Sequence, residues 1–219
     1  MFAGHVGAAL AIGRVERRIN VGVFVFAALL LDLVLWLLVL FGWEFVTIPA
    51  DFANTHQPEF VFPYSHGLLA AVAWSALAGV ATFVWYPRLS GAKFRAAAFV
   101  ALAVFSHWLL DALVHMPELP LAGESSMKLG LGIWRNMPAA LIVESLIALA
   151  GLWLFLSGAG LSRGRKTGLA VLSLFILAFT VVGMTVAPPP PSVTAMAASS
   201  FVTIVIVGVI AGWLGKRNA

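Results

Sequence analysis

The chain has 219 residues, of which 62% are hydrophobic and 10% charged, with a mean hydropathy of +1.01. Soluble domains carry about 25% charged residues, so a water-soluble enzyme is excluded. A net charge of +4 would suggest nucleic acid in a soluble chain, but in a hydrophobic one it reflects basic loops on one membrane face, and no nucleic-acid partner is expected. With no cysteine present, disulfides and thiolate metal sites are absent, and any metal must be held by His, Asp or Glu.

A bilayer core of about 30 Å needs about 20 apolar helical residues. The first apolar stretch, 2–13, is too short to span and predicts a re-entrant or interfacial helix. Six full-length segments follow at 20–42, 64–86, 95–115, 138–158, 168–187 and 195–214. The fold class is therefore all-α, a polytopic membrane helix bundle forming one integral membrane domain over 1–219. Ser75 and Gly79 form a small-xxx-small pattern that predicts close helix packing. Trp43 and Trp85 sit near span ends, as an aromatic belt requires.

Basic residues set the orientation. Arg14, Arg17, Arg18, Arg88, Lys93, Arg95, Arg163, Arg165, Lys166, Lys216 and Arg217 fall on one side of the predicted spans. The opposite loops hold Glu44, Asp51, Glu59, Glu118 and Glu124 with only Lys128 and Arg135. The basic side is read as cytoplasmic, with both termini inside and the first span retained as an anchor.

Removing loop charges leaves three carboxylates within spans: Asp32, Asp111 and Glu144. A charge at mid-bilayer costs about 2.5–3.5 kcal/mol on the lenient insertion scale, so each needs a partner or a function. His107 lies one helical turn before Asp111 and shares its face. His66 stands at the outer end of the second span, and His5 lies in the short N-terminal helix. At about 1.5 Å per residue, Asp32 and His107 lie about 18 Å from the cytoplasmic ends of their helices and Asp111 about 24 Å. His5 reaches that level only if its helix dips into the bundle. Imidazole and carboxylate both bind zinc or another divalent ion, and three protein ligands leave a position for water. The alternative is a hydrogen-bonded polar pair between helices, with Arg135 as countercharge. His56 and His115 read as solvated loop and helix-end residues with no assigned chemistry.

Gly4-His5, Asp32 within Leu29-Leu30-Leu31-Asp32-Leu33, Ser65-His66-Gly67 and Ser106-His107-Trp108-Leu109-Leu110-Asp111 occur in that order. This order resembles the bacterial inner-membrane family described as membrane-bound metal-dependent hydrolases. Its members carry an N-terminal Gly-His, an Asp in the first long span, a Thr-His-Ser motif and a Ser-His-x-x-x-Asp motif. The resemblance covers about 4–145 and departs at four places. Val34 replaces a second acidic residue, Val61-Phe62 replaces a His-Arg pair, and Ser65 and Gly67 replace the Thr and Ser around His66.

The resemblance implies His5, Asp32, His66, His107 and Asp111 as metal ligands in the bacterial inner membrane. Asp32 or Glu144 would then be the catalytic base, with a buried carboxylate suited to taking a proton. The expected substrate is a lipid-like or amphiphilic ester or phosphoester in the outer half of the bilayer, with membrane lipid the one partner expected. Two other classes stay open: a transporter or ion relay built on the same polar residues, and a non-catalytic accessory subunit of a membrane complex.

Overall fold

The computed structural model describes residues 1–86 and 91–216; Arg88 and Arg217 of the basic set lie outside the described residues. The elements in chain order are α1 (Phe2–Val15), α2 (Val21–Ala28), α3 (Leu30–Leu40), β1 (Phe45–Thr47), the one-turn α4 (Phe52–Thr55) and β2 (Glu59–Val61). They continue with α5 (Leu68–Trp85), α6 (Lys93–Val114), β3 (Leu119–Pro120), β4 (Lys128–Leu129), a 3-10 turn (Ile133–Arg135), α7 (Met137–Leu156), α8 (Arg163–Thr185) and α9 (Val193–Leu214). Among the described residues five helices, α5 to α9, are long and apolar enough to cross a membrane, and α2 with α3 pass the same test together as a bent pair, either one broken span or a re-entrant loop. The chain is a multi-pass helical membrane protein. Between 17% and 44% of each candidate span is buried inside the bundle; the remaining apolar face suits lipid rather than water.

The predicted spans shift at their ends for local reasons. Helix α8 starts at Arg163, earlier than the apolar count suggests, because the Ser162 side chain accepts from Arg165 N–H and caps the turn. Asn136 and Ser192 cap α7 and α9 in the same way. Helix α5 starts later, at Leu68, so His66 belongs to the preceding turn rather than to the helix. The first span is broken at Leu29, with a 50° bend between α2 and α3. No Pro or Gly sits there; the His107 side chain takes the Ala28 carbonyl at that point, and a side chain entering the helical ladder is a recognised cause of such a bend.

Helix α1 does not lie along the surface. Ala3, Gly4, His5, Val6, Gly7, Ala9 and Leu10 are buried, and the helix packs on α7, α2, α6 and α8. Backbone touches backbone at Gly7 and Gly151: a Cβ on Gly7 would stand 2.5 Å from the Ile147 carbonyl oxygen, and one on Gly151 would overlap the Gly7 carbonyl. Small residues permit this approach in a membrane bundle, and it carries His5 inward. Gly79 packs on α6, where an added Cβ would sit 3.3 Å from that of Ala101, and Ser75, one turn earlier, is buried. Glu16 is no loop charge in water: it is 1% exposed and pairs with Arg95 at 3.0 Å and Arg18 at 3.4 Å.

Replacing Gly151 with Val should displace α1 and cost about 1–3 kcal/mol, the usual range for overpacking. The expected result is a lowered unfolding temperature in detergent relative to Ile142→Val on the exposed face of α7. Equal temperatures for the two variants would contradict this packing.

Candidate metal centre

Three helices and one turn converge on a single point. Asp32 lies in the first turn of α3, where its charge meets the positive end of the helix dipole. His107 and Asp111 project from the last two turns of α6, His5 comes from α1, and His66 from the turn before α5. His66 Nε2 is 3.1 Å from His107 Nε2, and these nitrogens lie 3.5 Å and 3.0 Å from Asp111 Oδ2. Asp32 Oδ1 approaches the same two nitrogens at 3.6 and 3.7 Å. A tetrahedral zinc with ligands at about 2.0–2.2 Å separates neighbouring donors by about 3.3–3.6 Å, close to these spacings. Among the described residues two sets of three could hold a metal ion: His66, His107 and Asp111, and His5, Asp32 and His107.

The proton positions follow from the outer partners. His107 Nδ1 is 2.6 Å from the Ala28 carbonyl oxygen; a carbonyl only accepts, so Nδ1 carries a proton, and in the neutral ring Nε2 turns a lone pair inward. His66 Nδ1 is 2.8 Å from Ser65 Oγ, which lies 2.7 Å from Glu44 Oε2. Both imidazoles thus direct Nε2 at the same point as the two carboxylates. Acceptor facing acceptor at 3.1 Å is repulsive unless a cation or proton lies between them.

His5 stacks on His107 with ring centroids 3.7 Å apart. Its Nε2 is 3.1 Å from Asp111 Oδ1, while its buried Nδ1 has no hydrogen-bond partner. The Met1 amino nitrogen stands 3.4 Å from the same Asp111 oxygen. Glu144 is buried on α7 but outside both sets; its Oε1 accepts the Gly4 N–H at 3.2 Å, holding the start of α1. Arg135 is exposed and is not the countercharge of Asp111.

A cavity of about 570 Å³ adjoins the cluster, reached by Asp32, His66, Asp111 and Glu144. Asp32 is the most open of the ligand candidates, with 22% of its side chain exposed against 3% for Asp111. Phe2, Trp36, Phe62, Phe179 and Met184 supply apolar wall, and Thr180, Ser199, Ser200 and Thr203 add hydroxyls from α8 and α9.

Sequence reading missed three contributors. His115 is 6% exposed, with Nε2 3.8 Å from Asp111 Oδ1 and Nδ1 2.6 Å from Glu118 Oε1. Trp134 covers it, centroids 4.0 Å apart. Its place on the 107/111 stripe was the available signal. His56 is also buried and faces the cavity, held in the left-handed region at φ 52°. Glu44 looks like a loop charge but is 1% exposed. Burial pushes its carboxyl above the ordinary glutamate range, against the pull of hydrogen bonds from Ser65 and Tyr64.

Comparison with family models, with curated proteins and with solved structures finds no match to this chain. Its class rests on its own geometry: a helical membrane bundle with a buried His/carboxylate cluster able to hold a metal ion.

In the metal-free, chelator-treated protein, ¹⁵N-histidine NMR should give the neutral His107 ring as the Nδ1–H tautomer, identified by its loss in His107→Gln. A neutral Nε2–H ring would contradict the bond to Ala28.

Proposed function

We propose that the chain is a membrane-embedded metal-dependent hydrolase acting on a lipid-like or amphiphilic ester or phosphoester. The observation that carries this reading is the convergence of two imidazole lone pairs and two carboxylates on one point in an apolar bundle. Protein interiors seldom retain such a group without a compensating cation. The donor set of nitrogen and oxygen suits zinc. His66, His107 and Asp111 would be its ligands, with Asp32 and His5 alongside. One ion rather than two fits, because the two sets share His107, whose other nitrogen is committed to Ala28. When bound, such an ion lowers the pKa of a water and stabilises charge on the attacked oxygen.

The remaining work falls to the protein. Asp32, on the cavity side of the cluster, is placed to hold and take the proton of a water. Glu144 is less suited to being the base, since one of its oxygens is engaged by Gly4. The aromatic and methionine wall would take an apolar chain and keep bulk water from the scissile bond. An ion relay is disfavoured by Leu10, Phe24 and Val104, which fill the interior around the cluster's inner side with apolar atoms. Following the basic-residue bias and the resemblance, we assign the protein to a bacterial inner membrane with the basic ends in the cytoplasm.

Elemental analysis of protein purified in detergent should find about one zinc per chain. His107→Ala and Asp111→Ala should each lower that occupancy at least tenfold. Wild-type protein that takes up no divalent metal, even after incubation with zinc, would remove the basis of the proposal.

Asp32→Asn should keep most of the metal while hydrolysis of a short-chain p-nitrophenyl ester or phosphodiester falls about 10²–10⁴-fold. Activity equal to wild type in that variant would take the base role away from Asp32.

A further inference from the structure

We infer that Glu44, acting through Ser65, fixes the tautomer of His66 and so makes it a ligand; both are positioning residues of the metal centre. The inference deepens the metal reading above and uses a part of the molecule outside the ligand set. Antiparallel pairing of β1 with β2 sets Phe45 opposite Val61, which brings the next residue outward, Glu44, to the 62–66 turn. There Oε1 accepts the backbone N–H groups of Tyr64 and Ser65, each at 2.8 Å, and Oε2 accepts the Ser65 hydroxyl at 2.7 Å. Glu44 and Ser65 are 1% and 0% exposed, so water does not substitute for these bonds.

The chain of bonds has one polarity. With Glu44 ionised, its carboxylate only accepts. Ser65 has a single hydroxyl proton and gives it to Glu44, so its oxygen accepts from His66 Nδ1 at 2.8 Å. His66 is thereby held as the Nδ1–H form, with its Nε2 lone pair aimed at His107 Nε2 and Asp111. His66 is also gripped from the main-chain side, where its carbonyl accepts from Trp108 Nε1 at 2.9 Å. The ring therefore has little freedom to find another orientation. Ser65 is not a nucleophile in this arrangement: its proton goes to a carboxylate and not to the histidine, and the residues that line the cavity do not include it.

Glu44→Gln keeps the shape and reverses the polarity. The amide oxygen still accepts the two backbone N–H groups, while the amide nitrogen donates to Ser65 Oγ. The Ser65 proton then goes to His66 Nδ1, and Nε2 carries a hydrogen that points where the ion would sit.

The test uses the full chain in detergent. ¹⁵N-histidine NMR of chelator-treated protein reads the His66 tautomer, and titration with Zn²⁺ and with Co²⁺ reads affinity. The expected result is Nδ1–H in wild type and Nε2–H in Glu44→Gln, with metal affinity lowered about 10–100-fold, the usual effect of losing an outer partner. Ser65→Ala should lose affinity to a similar degree, with His66→Gln as the reference for a missing ligand. An unchanged tautomer in a folded Glu44→Gln variant overturns the inference even if wild type binds zinc. A switched tautomer in a protein whose wild type binds no metal would keep the polarity of the Glu44–Ser65–His66 chain and overturn the ligand role of His66 together with the hydrolase reading.

Discussion

The bond from His107 Nδ1 to the Ala28 carbonyl ties the backbone of the first span to the chemistry of the centre. It bends the span at Leu29, and the new helix that begins there presents Asp32 from its first turn. It also fixes which nitrogen of His107 faces inward. One interaction of 2.6 Å thus positions two of the five convergent residues and explains a helix break that has no Pro or Gly to cause it.

Around that point the bundle meets a cost common to membrane proteins, the burial of carboxylates without solvent. Asp111 is 2% exposed and Glu144 3%, yet among the described residues no Lys or Arg side chain pairs with them: Arg135 is exposed, and Arg18 and Arg95 serve Glu16. Compensation is left to histidines, the Met1 amino group and backbone N–H donors. That distribution separates a structural ion pair at one end of the bundle, Glu16 with Arg95, from a cluster at the other that is rich in acceptors.

Small residues make the rest possible. Gly7 against Gly151 lets α1 enter between longer helices, and Gly22 does the same where α2 crosses α9 at Gly212. At Gly130, whose φ is +150°, a side chain would collide with the Met116 carbonyl; this close pass folds the 130–134 segment over His115, where Leu131 N–H bonds to Ala112 and Gly132 N–H to His115. The lid so formed places Trp134 on the His115 ring.

Much of this was legible in one dimension. Composition and apolar segment length determine a helical membrane bundle, because a backbone in lipid must satisfy its own hydrogen bonds. The scarcity of charge singles out Asp32, Asp111 and Glu144, and helical periodicity pairs His107 with Asp111. Tertiary structure alone decided the rest. Glu44 and Glu16 read as loop charges because hydropathy carries no information on what a loop folds against. His115 and His56 read as wet because burial depends on the lid and on the cavity wall. Whether His5 reached the cluster depended on the Gly7–Gly151 approach, a contact between residues 144 apart in sequence, and whether the histidines turn Nε2 inward depended on partners as distant as Ala28 and Glu44. Residue type fixes what a side chain can bind; the direction in which it offers that atom is set by the neighbours that only folding supplies.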